Sequence, residues 1–204
     1  LSHDSAGLYV GGGQKDNLDF ISFKIRAAFH DMVSPDEALF EFSLNEVLSA
    51  DVRYYTEQSR LRLQKLTLFN LLTSLPVTEL EQPISWKIQI YSEPELYPHV
   101  HAGFGYSFDL PKLVKTRFIG LVSAQLDDKR IGIGPDLFLV HKLKDWLAVM
   151  VNYRGSWNDK NYQKIWNTQV GIPINQQWEL RLEHTRTDEI KNEWQVRVLK
   201  QFIL

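Results

Sequence analysis

Apolar and polar residues alternate with a period of two, in segments of about ten residues, from one end of this chain to the other. Residues 84–91 read Ile-Ser-Trp-Lys-Ile-Gln-Ile-Tyr. Ile84, Trp86, Ile88 and Ile90 share one face, and Ser85, Lys87, Gln89 and Tyr91 share the other. Successive side chains of a strand point to opposite sides, so this segment reads as a β-strand between two media. Trp178, Leu180 and Leu182 alternate in the same way with Glu179, Arg181 and Glu183. Trp194, Val196 and Val198 alternate with Gln195, Arg197 and Leu199. A soluble sandwich alternates too. Strand length, strand number and the aromatic strand ends point instead to a transmembrane β-barrel, in which lipid replaces a packed core.

Strands are expected near 6–13, 18–30, 44–55, 61–72, 84–92, 99–110, 114–126, 131–141, 146–156, 162–172, 177–187 and 193–203. The fold class is therefore all-β: a transmembrane antiparallel up-and-down barrel of about twelve strands, with residues 1–204 forming a single domain. Ile21, Phe23, Ile25, Ala27 and Phe29 are expected on one face of the second strand. The fourth strand changes phase between Leu63 and Leu66, which a bulge near Gln64 and Lys65 would repair. The stretch 147–153 is apolar on nearly both faces. Polar turns such as Lys15-Asp16-Asn17 and Asp127-Asp128-Lys129 separate the segments, and prolines fall near strand ends.

The net charge of -2 gives no basic field, which argues against a nucleic-acid partner. A mean hydropathy of -0.27 suits a barrel, because half of the strand residues face a polar lumen. No apolar run is long enough for a transmembrane helix, and the absence of cysteine removes thiolate chemistry. The chain opens Leu-Ser-His-Asp, so the expectation is a removed signal or the C-terminal part of a longer protein. The period of two assigns Ile84, Trp86, Ile88, Ile90, Trp178, Leu180, Leu182, Trp194, Val196 and Val198 to lipid. Lys24, Arg26, Asp51, Arg53, Lys87, Glu179, Arg181, Glu183 and Arg197 are assigned to the lumen. Their mixed signs predict cross-strand ion pairs that block a wide channel.

Chemistry of other kinds finds little support. A barrel lipase needs a nucleophilic serine with a histidine and an orienting group, and the Ser-Asn-Gly motif of such lipases does not occur. His99 and His101 share a strand face, but Asp109 lies too far along to complete a metal site. Gly11-Gly12-Gly13 lacks the lysine and spacing of a phosphate loop and reads as crowding room at a strand. No catalytic, cofactor or metal residue is assigned, and no cofactor is expected.

Several words of the chain resemble a bacterial family in which a periplasmic papain-like domain precedes an outer-membrane β-barrel. That domain is named after the N-terminal region of lacto-N-biosidases. The words are Ser2-His3, Leu8-Tyr9-Val10-Gly11-Gly12-Gly13, Ile25-Arg26-Ala27-Ala28-Phe29-His30-Asp31, Ser34-Pro35-Asp36, Leu61-Arg62-Leu63 through Ser74-Leu75-Pro76, and Ser85-Trp86-Lys87. The closing strand, Trp194 to Leu204, also resembles the terminal strand read by barrel-assembly machinery, with Phe202 in phase two places from the end. The resemblance implies a barrel in the Gram-negative outer membrane, surrounded by lipid and lipopolysaccharide. It also implies a role as anchor or scaffold for a periplasmic domain or partner, without catalysis in the barrel. The alternatives are a narrow pore for small solutes and a barrel enzyme acting on lipid or peptide. The two longest connections, 31–43 and 73–83, fall on the same side as the N-terminus. Leu39, Phe40, Phe42, Leu75, Val77 and Leu80 within them are expected to dock a partner. The competing expectation is that these connections fold back as a plug.

Overall fold

The computed structural model describes residues 5–33, 42–93, 98–110, 115–127, 130–143, 146–158, 161–175, 177–188 and 192–203. Within these it is a closed barrel of twelve antiparallel strands, each bonded to its sequence neighbours, with β1 closing on β12. The strands are β1 (Ser5–Lys15), β2 (Leu18–His30), β3 (Leu44–Tyr55), β4 (Arg60–Thr73), β5 (Ser85–Ser92) and β6 (Pro98–Asp109). They continue as β7 (Thr116–Asp127), β8 (Arg130–Lys142), β9 (Ala148–Trp157), β10 (Tyr162–Pro173), β11 (Trp178–Thr187) and β12 (Asn192–Ile203). Closure removes every free sheet edge, which matters where no water is present to satisfy backbone groups. Ser5 of β1 and Ile203 of β12 are paired, so both ends of the sheet's chain lie at one rim. We call this the terminal rim. The opposite rim carries the tight turns, among them Asp16-Asn17, with φ of 51° and 66°. Positive φ at both central residues is the two-residue turn that matches strand twist.

The faces sort as the period of two requires. On β5, Ser85, Lys87 and Gln89 are buried while Trp86 and Ile88 are exposed and Ile90 is half-buried. On β11, Glu179 and Arg181 turn inward, with Trp178, Leu180 and Leu182 on the outer row. On β12, Gln195 and Arg197 turn inward and Trp194, Val196 and Val198 outward. Ile84 is exposed just ahead of β5. All six tryptophans are exposed. Trp86, Trp146 and Trp178 lie toward the terminal rim, and Trp157, Trp166 and Trp194 toward the other. Large apolar side chains at the surface, with tryptophans toward both ends, form the outer belt of a barrel that sits in lipid.

Two irregularities shape the interior. Gln64 is the extra residue between the pairs Asp51–Lys65 and Val52–Leu63, at the bulge expected from the phase change. A second crease runs across β2, β3 and β4 at Ala27, Leu48 and Leu68. Leu48 has φ 50°, and the register shifts against β1 and β5 on either side. Beyond this crease the inward row changes phase. Phe29, expected on the face of Ile21, Phe23 and Ile25, is instead buried inside against Tyr9, with ring centroids 6.2 Å apart. The crease also turns Glu46 and Leu72 inward, Glu46 toward Lys24 and Arg26 and Leu72 onto Met32, Val33 and Phe42.

Candidate functional site: a charged lumen stopped at one end

The lumen holds a cavity of about 710 Å³. Its mouth lies at the tight-turn rim, among Lys15, Glu93, Asp127, Arg130, Asp188 and Glu193. Its floor is formed by Asp31, Met32, Leu44, Phe138 and Met150. Polar and charged side chains line most of the depth between.

Asp31 and Met32 of this floor belong to the β2–β3 connection. Met32, Val33 and Phe42 are each no more than 2% exposed. They pack on inward residues of β7, β8 and β9: Ile119, Leu121, Phe138, Val140, Ala148 and Met150, with Leu72 of β4. This layer explains why those strands are apolar on both faces near the terminal rim. One face meets lipid, and the other meets the stopper. Burial of each such side chain contributes roughly 1.5–3 kcal/mol. Gly171 on β10 makes room for the same segment, since a Cβ there would stand 2.7 Å from the Val33 carbonyl oxygen.

The docking set assigned to these connections therefore divides. Phe42 is corrected: it is an internal stopper residue. Its carbonyl accepts a 2.6 Å bond from Ser74 Oγ, and the Arg117 guanidinium sits 4.7 Å from its ring centroid. The physical reason is that inward apolar residues at this rim need cover, and Phe42 supplies it. Leu39 and Phe40 lie outside the described residues. Leu75 and Leu80 remain on the surface, Leu80 at 96% exposure. Val77 is half-buried because its N–H bonds the Ser107 carbonyl at 2.8 Å, alongside the bridge from Pro76 to Ser107. That segment covers the stretch of β6 left open where β5 starts, at Ser85 opposite Gly105.

Asp31 ties the stopper to the wall. Its Oδ2 accepts from Arg26 at 2.8 Å and from Arg181 at 2.5 Å. Burial alone would raise its pKa, but Arg181 and Arg26 outweigh it and hold the carboxyl well below the usual carboxylate range. Arg26 also bonds the Tyr9 hydroxyl at 2.7 Å and meets Glu46 at 2.8 Å, and Lys24 shares that Glu46 oxygen at 2.8 Å. Arg181 is further bound by Glu179 at 2.6 Å. Toward the mouth, Arg197 bonds Asp51 at 2.5 Å, and Arg53 meets Glu193 at 2.6 Å. Glu183 accepts from Gln195 at 2.5 Å. The pair Arg197–Asp51 reaches from β12 to β3 across β1 and β2. Gly11 and Ser22 leave the space: Gly11 stands opposite both Arg197 and Ser22, and a Cβ on it would strike the Arg197 side chain. Gly11 thus gives crowding room, whereas a Cβ on Gly12 would meet only the Phe20 carbonyl oxygen, at 3.3 Å.

A second group lies on the facing wall. Lys87 Nζ meets Asp136 at 2.8 Å, and Asn152 donates to the other carboxylate oxygen at 2.7 Å. His101 is wholly buried, 3.6 Å from Asp136. His99 also turns toward the cavity, stacked on Tyr91 at 4.7 Å and paired with Asp127 at 2.9 Å. Among the described residues, no three His, Asp or Glu side chains gather closely enough to hold a metal ion.

A closed antiparallel barrel with an apolar outer belt and a charged interior is an outer-membrane-type β-barrel. The chain belongs to a family described as a domain of unknown function, DUF7840, whose profile it matches over residues 1–200. No curated protein matches it. Among solved structures, the KdgM porin in complex with disordered oligogalacturonate is similar in fold. It has 8% sequence identity and a TM-score of 0.59, over 96% of this chain and 99% of that one. The COG4313 outer membrane channel from Pseudomonas putida F1 is similar at 11% identity and a TM-score of 0.53, over 99% and 96%.

Proposed function

We propose that this protein is a narrow outer-membrane channel for small solutes, held shut at its terminal rim by its own β2–β3 connection. The observation that carries the reading is the cavity of about 710 Å³, walled by charged side chains and stopped by a separate apolar segment. A barrel that only needed to be stable would fill its interior with packed side chains. A charged wall is affordable where water or a polar solute occupies the space. The volume falls in the range of small-molecule sites, roughly 300–1,000 Å³. The two similar solved barrels named above are a porin and a channel, which agrees with the reading at the level of fold.

The stopper can be removed at the cost of one end pair of the sheet, Leu44–Leu72. His30 pairs with Asn45, so a two-residue Asn-Gly turn can replace 31–44. Liposomes carrying the wild-type barrel are expected to swell slowly in small neutral solutes, and those carrying the turn variant to swell fast. Equal, slow swelling of both, with the variant folded by its heat-modifiable gel mobility, would sink the channel reading.

A second reading, a membrane anchor for a periplasmic papain-like domain or partner, is favoured by one observation. Leu75 and Leu80 stay exposed on the 74–84 connection. It requires the terminal rim to face the periplasm. A cysteine at Glu79, exposed beside Leu80, should then resist impermeant maleimide in intact cells and react once the outer membrane is opened. Labelling in intact cells would end the anchor reading.

A further inference from the structure

The two walls of the lumen differ in charge balance. On the wall of β11, β12 and β1–β3 with the Asp31 stopper, cations and carboxylates are matched. Below the mouth, Lys24 is paired with Glu46, Arg26 with Asp31, Arg181 with Glu179 and Arg197 with Asp51. On the facing wall, below the mouth carboxylates Glu93 and Asp127, Lys87 and Arg154 share Asp136, and Lys65 stands across the strand pair from Asp51, which Arg197 already holds. Lys87 and Asn152 already occupy both carboxylate oxygens of Asp136. Arg154 Nε stays 3.9 Å from it.

Lys65 makes no ion pair among the described residues. Its ammonium lies 4.0 Å over the Tyr91 ring. Arg154 lines the same cavity as Lys65 and Tyr91. Around them, Arg154 Nε and both nitrogens of His101 lack hydrogen-bond partners, and His101 is fully buried. Unpaired donors and surplus positive charge are costly in a confined space unless something negative fills it.

We propose that this wall is an oxyanion site, and that the cavity takes small solutes bearing a carboxylate or phosphate group. The anion sits between Lys65 and Arg154 beside Tyr91, where both cations face the cavity. On the opposite wall Lys24, Arg26, Arg181 and Arg197 are each engaged by a carboxylate. This assignment rests on the reading of the lumen as a solute path, but its test does not require conduction.

Calorimetric titration of the detergent-purified, folded barrel with inorganic phosphate and, separately, with citrate distinguishes the two anion sources. Binding of at least one is expected, weakening as salt is added. Lys65→Gln and Arg154→Gln should each weaken it about tenfold, the scale of one charge-assisted hydrogen bond. Lys24→Gln, on the balanced wall, should leave it unchanged. Heat-modifiable mobility confirms folding, and the two single variants keep the test usable if the double variant fails to assemble. No binding of either anion would overturn the site, as would equal weakening by Lys24→Gln. Binding by a barrel that never conducts would overturn the channel reading alone.

Discussion

Asp31→Ala is expected to loosen the stopper and let current through a barrel that is otherwise shut. The carboxylate is buried between Arg26 and Arg181, at 2.8 and 2.5 Å. Breaking a buried pair by removing one partner costs roughly 3–5 kcal/mol, because charge is left uncompensated. The low end applies, since Arg26 keeps Glu46 and Arg181 keeps Glu179. A loss of about 3 kcal/mol raises the open fraction about a hundredfold, at tenfold per 1.4 kcal/mol. Brief current steps in planar bilayers, absent from the wild type, are the readout. The pH dependence has a definite sign. Asp31 has a folded pKa depressed below its ordinary value, so its contribution is complete above about pH 4. It is lost only as the pH falls through the depressed value. The wild-type barrel should therefore stay shut from pH 7 down to about pH 4, and opening midway in that range would contradict the anchor role of Asp31.

Val198→Arg is expected to destabilise the barrel in lipid by about 2–4 kcal/mol, the cost of an arginine near mid-bilayer. Val198 lies at mid-height, paired with Val10 at the centre of β1 and with Leu180 of β11, and it points outward. Urea unfolding in vesicles, followed by tryptophan fluorescence, measures the change. Val198→Leu should be close to neutral. An arginine as well tolerated as leucine would mean that the outer belt is not in lipid.

The strands and their faces could be read from the sequence because a barrel imposes one rule on every residue pair. Trp178–Glu179 through Leu182–Glu183 and Trp194–Gln195 through Val198–Leu199 obey it without exception. Even the Gln64 bulge left its mark as a phase change between Leu63 and Leu66. The crease at Ala27, Leu48 and Leu68 did not. In β2, Phe29 continues an apolar row that lipid would accept, and only tertiary pairing shows it turning inward onto Tyr9. The stopper was hidden for a related reason. Period two is lost where both faces are apolar, and Ile119–Leu121, Phe138–Val140 and Ala148–Met150 are such places. The weak alternation at 147–153 was therefore a signal: an inward apolar row inside a membrane barrel requires something apolar in the lumen to cover it. Phe42, read as a docking residue, is part of that cover. The charged residues were placed in the lumen by parity, but their partners were not. Arg197 reaches Asp51 over Gly11 and Ser22, an arrangement that depends on strand order around the closed sheet.

Met32, Val33 and Phe42 of the β2–β3 connection are proposed to close a channel. Single-channel recording compares the wild-type barrel with the variant in which an Asn-Gly turn joins His30 to Asn45. A quiet wild type is expected, with stable, long-lived current steps from the turn variant. Steps of equal size from both proteins, or none from the correctly folded variant, would contradict it.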